Sequence, residues 1–196
     1  KQDLIRYMRE TENQLQILLC ELAAYLHNKN MEINVWDRII AFEGRMHEFI
    51  KAAYDYQDNT FHSHPGYYID YFEMRLAQLQ VLHNLHYEIK KIRKMPKQAL
   101  VIADYIMYMA DYVVEMNIPD QQIEKLEEIS EQMKQEELPK TREEFEGRAL
   151  LYHILMDLEE FLVYKKRFVN GLDEKKLRIY WKQEMEQKDS ANELQK

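Results

Sequence analysis

The stretch PKQALVIADYIMYMADYVVEM, residues 96–116, decides the fold class of this chain. Apolar residues fill most of its positions, and its charged residues recur at helical spacing along one narrow stripe: Lys97, Asp104, Asp111 and Glu115. A helix that is apolar on every other side is expected to be surrounded by protein or lipid. The two aspartates, and the lack of any uncharged run of ~18 residues, favour protein. We therefore predict an all-α fold, a single bundle of about six helices around a central buried helix at 96–116.

The low glycine and proline content supports an all-α fold. The chain has 196 residues, of which 4 are glycine and 4 are proline, where average usage would give roughly 14 and 10. Sheet proteins need many turns that contain glycine, so few and short connections between long helices are expected. We expect a helix content of ~80%, well above the globular average. The length suits one domain with a large core.

Apolar residues at helical spacing predict the remaining helices. These helices are expected over about 2–29, 34–57, 65–94, 141–171 and 172–187, with one more that begins near 119. The clearest start is Thr141, where Glu144 completes a capping box, and Asn34 with Asp37 forms a similar one. We divide the chain into a helical bundle domain at 1–170 and a charged C-terminal helix and tail at 171–196, expected to be partly disordered.

The tetrapeptide Phe-Glu-Gly-Arg occurs twice, at 42–45 and at 145–148. A glycine inside a helix costs roughly 1 kcal/mol relative to alanine, so a close backbone contact at Gly44 and Gly147 is one interpretation. The alternative, which we favour, is chance similarity between two amphipathic helices.

Composition and motifs disfavour several classes of protein. The net charge of −8 disfavours nucleic acid as a partner, because phosphate binding needs clustered Lys and Arg. The sequence has no nucleophile elbow, phosphate loop or dinucleotide fingerprint. Cys20 is the single cysteine, so no internal disulfide can form, and we expect it to be an inert packing group among apolar residues. We predict a protein that is not an enzyme and has no cofactor.

Two pairs of histidines are candidate metal ligands. His62 and His64 lie in a predicted loop, and His83 and His86 lie on a predicted helix, so either pair could form one edge of a site. A di-iron bundle needs a glutamate three residues before a ligating histidine on two helices. None of the 7 histidines has a glutamate at that position. We therefore expect no metal site.

An aromatic cluster opens the third predicted helix. It contains Tyr67, Tyr68 and Tyr71, with Arg75 one turn later. Arginine and tyrosines could bind an aromatic carboxylate through a bidentate ion pair and ring stacking, so Tyr68, Tyr71 and Arg75 are the candidate ligand-binding residues. The alternative, which we favour, is that the tyrosines close the edge of the bundle and Arg75 pairs with a carboxylate such as Glu146.

Two blocks of sequence resemble a known family. They are YYIDYFEMRLAQ at 67–78 with VL at 81–82, and LPKTREEFEGRA at 138–149 with DLEEF at 157–161 and KRF at 166–168. Over about residues 1–168 the chain resembles the C-terminal domain of the aromatic acid exporter family of bacteria. The resemblance implies an inner-membrane efflux protein with several N-terminal transmembrane helices and this helical domain on the cytoplasmic side. It also implies a non-enzymatic role in the assembly or regulation of efflux.

The partners expected from this resemblance are the N-terminal transmembrane region of the same full-length protein and, as a second candidate, further copies in a homo-oligomer. Within the 196 residues we predict no membrane-spanning segment. The first helix begins without an N-cap, and Lys1, Arg6 and Arg9 fall in its first turns, as in a cytoplasmic flank. We therefore expect it to follow the last transmembrane helix of a longer protein. A free-standing helical adaptor or oligomerisation protein, and a small aromatic-acid sensor or bundle enzyme, remain alternatives.

Overall fold

The computed structural model describes residues 1–27, 34–61 and 66–182. Helices account for 80% of this part of the chain, and it contains no strand, which confirms the all-α bundle. The seven helices are α1 Gln2–Leu26, α2 Val35–Asp58, α3 Gly66–Ile89, α4 Ala99–Ala110, α5 Asp120–Lys134, α6 Arg142–Asn170 and α7 Glu174–Tyr180.

Two helix starts are fixed by the caps that the sequence predicts. The Asn34 side chain accepts a hydrogen bond from the Asp37 backbone N–H at 3.4 Å. Thr141 Oγ1 accepts one from the Glu144 N–H at 3.1 Å. The Glu144 carboxylate turns back and accepts the Lys140 N–H at 2.7 Å. These bonds satisfy backbone donors that the first turn of a helix leaves unpaired, which is why α2 and α6 begin where they do.

Helix α3 occupies the centre of the bundle. It packs against α1, α2 and α6, whereas α5 bridges α4 and α6. Most side chains of α3 are buried, and they include the polar residues Arg75, Gln78 and His86. One narrow stripe of α3 stays exposed, through Asp70, Glu73, Gln80, Asn84 and Tyr87. A helix with three packed neighbours buries some polar positions as well as its apolar ones, and these polar groups then need partners inside the protein.

The predicted central helix at 96–116 is wrong in both length and position. Helix α4 covers only Ala99–Ala110 and packs mainly against α1. Leu100, Val101 and Met107 are 48%, 46% and 50% exposed. The run of apolar residues was misleading because apolar composition does not determine how many other helices pack against a helix. Helix α4 lies at the edge of the bundle.

Tight turns limit α4 at both ends. The Ala99 N–H donates to the carbonyl of Pro96, and the Val113 N–H donates to that of Ala110, each three residues back along the chain. The chain therefore leaves α-helical geometry just outside α4, and the run of apolar residues that looks continuous in sequence is divided between a helix and two turns.

The chain after Gly171 packs onto the start of α3. Leu172 is 9% exposed and Trp181 is 2% exposed. The Tyr180 ring stacks on Tyr67 with centroids 3.9 Å apart. Helix α7 is thus part of the packed bundle. The division into units at 1–170 and 171–196 stays a prediction, and residues 183–196 lie outside the described residues.

The two glycines of the repeated tetrapeptide have different surroundings. A Cβ atom on Gly147 would meet Pro96 Cγ at 3.1 Å and the Lys94 carbonyl oxygen at 3.4 Å, whereas one on Gly44 would meet nothing within 4 Å. A close contact therefore explains Gly147 and does not explain Gly44.

We predict that Gly44→Ala raises the free energy of unfolding by about 0.5–1 kcal/mol, because alanine favours the helix and space is available. Gly147→Ala gains the same propensity but must displace Pro96, so it stabilises less or destabilises. Urea unfolding of both variants measures the difference. Equal stabilisation by the two substitutions would contradict the packing at Gly147.

Candidate functional site

Two polar residues of α3 meet a carboxylate of α1 in the centre of the bundle. Arg75 is 1% exposed. Its Nε donates to Tyr71 Oη at 3.1 Å, and Tyr71 Oη donates to Glu12 Oε1 at 2.9 Å. Arg75 Nη2 lies 3.6 Å from the same oxygen of Glu12, and the guanidinium carbon lies 5.0 Å from the centroid of the Tyr71 ring. The three side chains form a closed triad between α1 and α3.

The same arginine also reaches towards α6. Arg75 Nη1 donates to Gln78 Oε1 at 2.9 Å, and Gln78 Nε2 donates to the backbone carbonyl of Phe161 at 2.8 Å. Arg75 Nη2 makes no hydrogen bond to any described residue, and its nearest carboxylate is Glu12, across the 3.6 Å ion pair. Three helices therefore meet at one guanidinium.

A second set of polar contacts lies one turn earlier on α3. Tyr67 Oη donates to Glu115 Oε1 at 2.6 Å and accepts from Trp181 Nε1 at 3.0 Å. Lys165 Nζ, from α6, donates to the carbonyl of Val114 at 2.9 Å and to that of Glu115. These bonds join α3 to the segment after α4, to α6 and to the residue that follows α7. We call both sets together the buried polar network, namely Glu12, Tyr67, Tyr71, Arg75, Gln78, Glu115, Lys165 and Trp181.

The network contains two carboxylates and two cations. Burial raises the pKa of Glu115, the hydrogen bond from Tyr67 opposes the rise, and the nearby Glu12 adds to it. The positive charges of Lys165 and Arg75 lower the pKa of Glu115 again. Burial also raises the pKa of Tyr67, so this phenol stays neutral and able to donate. The charges thus balance inside the protein without an added ion.

The side chains of the network bind one another. The network contains no thiol or serine hydroxyl that could act as a nucleophile. A carboxylate ligand would need a free edge of the Arg75 guanidinium, and Nε and Nη1 already donate to protein atoms. The clefts described at the surface of the bundle are lined by other residues than Tyr68, Tyr71 and Arg75.

Tyr71 and Arg75 are brought together as the sequence suggests, but Tyr68 lies elsewhere. The Tyr68 ring packs edge-on against Tyr56 and Tyr180, with centroid distances of 5.7 and 5.6 Å. Tyr68 therefore belongs to an aromatic cluster between α2, α3 and α7 and not to the arginine.

The expected carboxylate partner of Arg75 is wrong in identity. Glu146 pairs with Arg142 on the surface at 3.1 Å, and Arg75 pairs with Glu12. The cause is the position of Glu146 along α6. Phe161 is the α6 residue next to this part of α3, and Glu146 lies four turns away from it on the same helix.

Gln78 on α3 was not predicted as a member of the network, and neither were four residues from other parts of the chain: Glu12, Glu115, Lys165 and Trp181. One of them left a signal in the sequence. Glu12 interrupts the apolar stripe of α1 between Met8 and Leu15, and a polar residue that faces the core needs a buried partner. Nothing in the spacing of the other three residues points to Tyr67 or to one another.

The helical histidines lie between α2 and α3. His83 Nδ1 lies 3.1 Å from a carboxylate oxygen of Glu43. His86 is buried, neither of its ring nitrogens bonds to a described residue, and burial lowers its pKa. In the described ranges no group of three or more His, Cys, Asp or Glu could hold a metal ion. His62 and His64 lie outside the described residues.

Cys20 is exposed, so its predicted role as a packing group is wrong. It lies on the outer side of α1, which the apolar residues next to it in sequence do not reveal. Partial burial and the neighbouring Asp111 and Glu21 raise the pKa of the thiol. The thiol is therefore protonated near neutral pH and is a weak nucleophile.

A pair of carboxyl groups lies between α3 and α6. One oxygen each of Glu88 and Asp157 is buried without a partner among the described residues. Burial raises the pKa of Asp157 to about 8, together with a hydrogen bond to Glu88 and the charges of Glu88 and Glu160. His153 Nδ1 lies 3.5 Å from the other oxygen of Glu88. A proton on Asp157 supplies the donor that the two buried oxygens need.

From the carboxyl pair of Glu88 and Asp157 we predict how the free energy of unfolding depends on pH. The folded state keeps a proton on Asp157 up to about pH 8, while the unfolded chain loses it near its ordinary pKa. The free energy of unfolding therefore falls as pH rises between these two values. Asp157→Asn should remove this part of the slope and stabilise the protein relative to the parent as pH rises.

Urea unfolding across this pH range tests the prediction, with Glu159→Gln as the control. Glu159 is an exposed carboxylate on the same helix, so its substitution should leave the slope unchanged. Parallel pH profiles for the parent and Asp157→Asn would show that Asp157 does not hold the proton.

Comparison with known proteins agrees with the architecture. A family model described as "Putative aromatic acid exporter C-terminal domain" matches residues 1–166. The chain is 26% identical over 167 residues to "Uncharacterized protein YqjA" of Bacillus subtilis (strain 168), a match that covers 84% of this chain and 51% of the relative. The chain therefore spans about half the length of that relative.

The fold is shared with a solved structure. The crystal structure of a "putative membrane protein from Clostridium difficile 630" superposes with a TM-score of 0.76 at 23% identity, covering 85% of this chain and 97% of that chain. None of the helices in the described ranges is long and apolar enough to cross a membrane. From the family match over most of its length, the chain belongs to the aromatic acid exporter C-terminal domain family.

Proposed function

We propose that this chain is a non-enzymatic domain of an aromatic acid exporter-type membrane protein, that it lies on the cytoplasmic side of the bacterial inner membrane, and that it supports the assembly or regulation of efflux. The observation that carries the proposal is the family match over residues 1–166. The partner is the N-terminal transmembrane region of the same full-length protein, with a homo-oligomer as a second contact.

The chemistry of the described residues supports a role other than catalysis. The buried polar side chains bind one another: Arg75 is occupied by Glu12, Tyr71 and Gln78. The Cys20 thiol is protonated near neutral pH, because its pKa is raised. A catalytic centre combines a nucleophile or base with open space for a substrate, and neither the network nor this thiol offers that combination.

The position of Glu12 supports a role in assembly. Helix α1 packs against α2, α3 and α4, and its Glu12 reaches the centre of the bundle. A shift of α1 by one residue would turn Glu12 about 100° away from Arg75 and leave a buried charge unpaired, at a cost of several kcal/mol. The register of α1 is therefore fixed, and a segment joined to its start would be held in a defined orientation on the domain.

Topology of the full-length protein tests the proposal. A green fluorescent protein fused after Lys196 should fluoresce in membrane-bound protein, because that reporter folds on the cytoplasmic side. An alkaline phosphatase fused at the same position is the control and should be inactive. Active phosphatase, or full-length protein in the soluble fraction, would contradict the proposal.

The predicted ligand site at Tyr68, Tyr71 and Arg75 is a separate question and stays a prediction. Because Glu12 and Gln78 occupy the guanidinium, we expect hydroxybenzoates to leave the melting temperature unchanged. The site would be supported by a shift that disappears in Arg75→Leu and weakens in Tyr68→Phe. The same shift should persist in the control Arg142→Leu, whose side chain is 92% exposed.

A further inference from the structure

The connection between α3 and α4 forms a strongly basic surface on an acidic protein. It has the sequence KKIRKMPK at 90–97, in a chain of net charge −8. Five of its side chains are exposed cations: Lys90, Lys91, Arg93, Lys94 and Lys97. None of the five forms an ion pair within the described part of the chain. We call this stretch the basic segment.

Some carboxylates at the same end of the bundle have partners outside the basic segment. Glu137 lies 3.7 Å from Lys140, and Glu146 lies 3.1 Å from Arg142. Glu144 accepts a backbone N–H at the start of α6, but it also feels the charge of Lys94, and Glu143 lines the same cleft as Lys94 and Lys97. These carboxylates offset part of the charge of the five cations, and the rest is available to a partner.

Large apolar side chains are exposed at the same end of the bundle as these cations. Leu138 is 86% exposed, Phe145 is 61% exposed and Tyr87 is 58% exposed. Leu138 lines one surface cleft together with Lys94 and Lys97. Exposed aliphatic and aromatic groups next to unpaired cations are typical of surfaces that bind anionic bilayers, where cations contact phosphates and apolar groups enter the headgroup boundary.

We propose that the basic segment, together with Leu138, Phe145 and Tyr87, binds the surface of an anionic lipid bilayer. A nucleic acid would use the cations and could stack bases on the exposed aromatic rings, but it offers no apolar environment for the exposed leucine. Acidic residues in the rest of the protein oppose binding only weakly, because charges more than about 10 Å apart are screened at moderate salt. The glutamates that share a cleft with Lys94 and Lys97 oppose it directly and reduce the net positive charge of this surface.

This surface lies at the opposite end of the bundle from the start of α1. Helix α1 is antiparallel to α2, because Glu10 pairs with Arg45 and Glu21 pairs with Arg38. Helix α3 is also antiparallel to α2, through the contacts of Tyr54 with Glu73 and of Glu43 with His83. Helices α1 and α3 therefore run in the same direction, and the basic segment follows the end of α3. A protein attached to the bilayer through residues that precede α1 would make this second contact with its helices lying along the bilayer surface. The bilayer contact does not rest on the proposed function.

Vesicle sedimentation with the 196-residue chain tests the proposal. The protein should pellet with vesicles of equal parts phosphatidylglycerol and phosphatidylcholine, and not with phosphatidylcholine alone, and added salt should release it. Changing the five cations of the basic segment to glutamine should weaken binding by at least about tenfold, since each basic residue at an anionic surface contributes roughly fivefold.

The matched control removes the same charge from other exposed positions. It changes Arg9, Lys51, Lys125, Lys175 and Arg178 to glutamine and should bind as the parent does. A second variant, Leu138→Ser with Phe145→Ser, should bind several-fold more weakly with unchanged salt dependence. Its control is Met156→Ser, a residue that is 63% exposed on α6. Unchanged melting temperatures establish that each variant is folded.

Three results would overturn the proposal. One is equal binding to neutral and anionic vesicles, and another is equal loss of binding in the control that carries the same charge. The third is tight binding of a single-stranded oligonucleotide without vesicle binding, which would assign the surface to nucleic acid. Each result leaves the topology of the full-length protein, and with it the proposed function, unaffected.

Discussion

The ion pair between Arg75 and Glu12 is the interaction on which the arrangement of the helices depends. The guanidinium is almost fully buried, and Glu12 is the carboxylate that balances its charge at 3.6 Å. An isolated buried charge is far costlier than a paired one. Only a packing that places α1, α3 and α6 around this point avoids that cost, because Tyr71 and Gln78 direct the guanidinium towards α1 and towards the Phe161 carbonyl.

The sequence predicted the class of fold and the starts of helices, because these depend on residues that are near one another in the chain. The capping box at Thr141 and the Asn34 cap were both confirmed, since a cap involves residues three positions apart. The central helix was misplaced because centrality depends on neighbours distant in sequence. Helix α4 is the more apolar, but α3 packs against three other helices and buries Arg75 and Gln78 between them.

The contacts of the candidate site could likewise be predicted only between residues that are close together in the sequence. Tyr71 and Arg75 are one helical turn apart, so their contact follows from spacing alone. Their partner Glu12 lies on another helix, and the interrupted apolar stripe of α1 shows that it needs a partner without showing which one. Trp181 joins Tyr67 across 114 positions of sequence, and no local pattern encodes a contact of that range.

The distribution of charge separates the inside of the domain from its surface. The cations and carboxylates of the buried polar network balance one another, whereas the exposed cations of the basic segment form no ion pair with a described residue. A domain built in this way keeps a rigid interior and presents its uncompensated charge to other molecules. This fits a family whose name describes one domain of an exporter.

The central claim is that the Arg75–Glu12 ion pair holds the bundle together, and a double-mutant cycle with Arg75→Leu and Glu12→Leu measures it most directly. Each single substitution should lower the free energy of unfolding by about 3–5 kcal/mol, since each leaves one buried charge unpaired. The double variant should lose clearly less than the sum. The exposed pair Arg45–Glu10 is the control, with a coupling of less than about 1 kcal/mol. Additive losses at Arg75 and Glu12 would contradict the account.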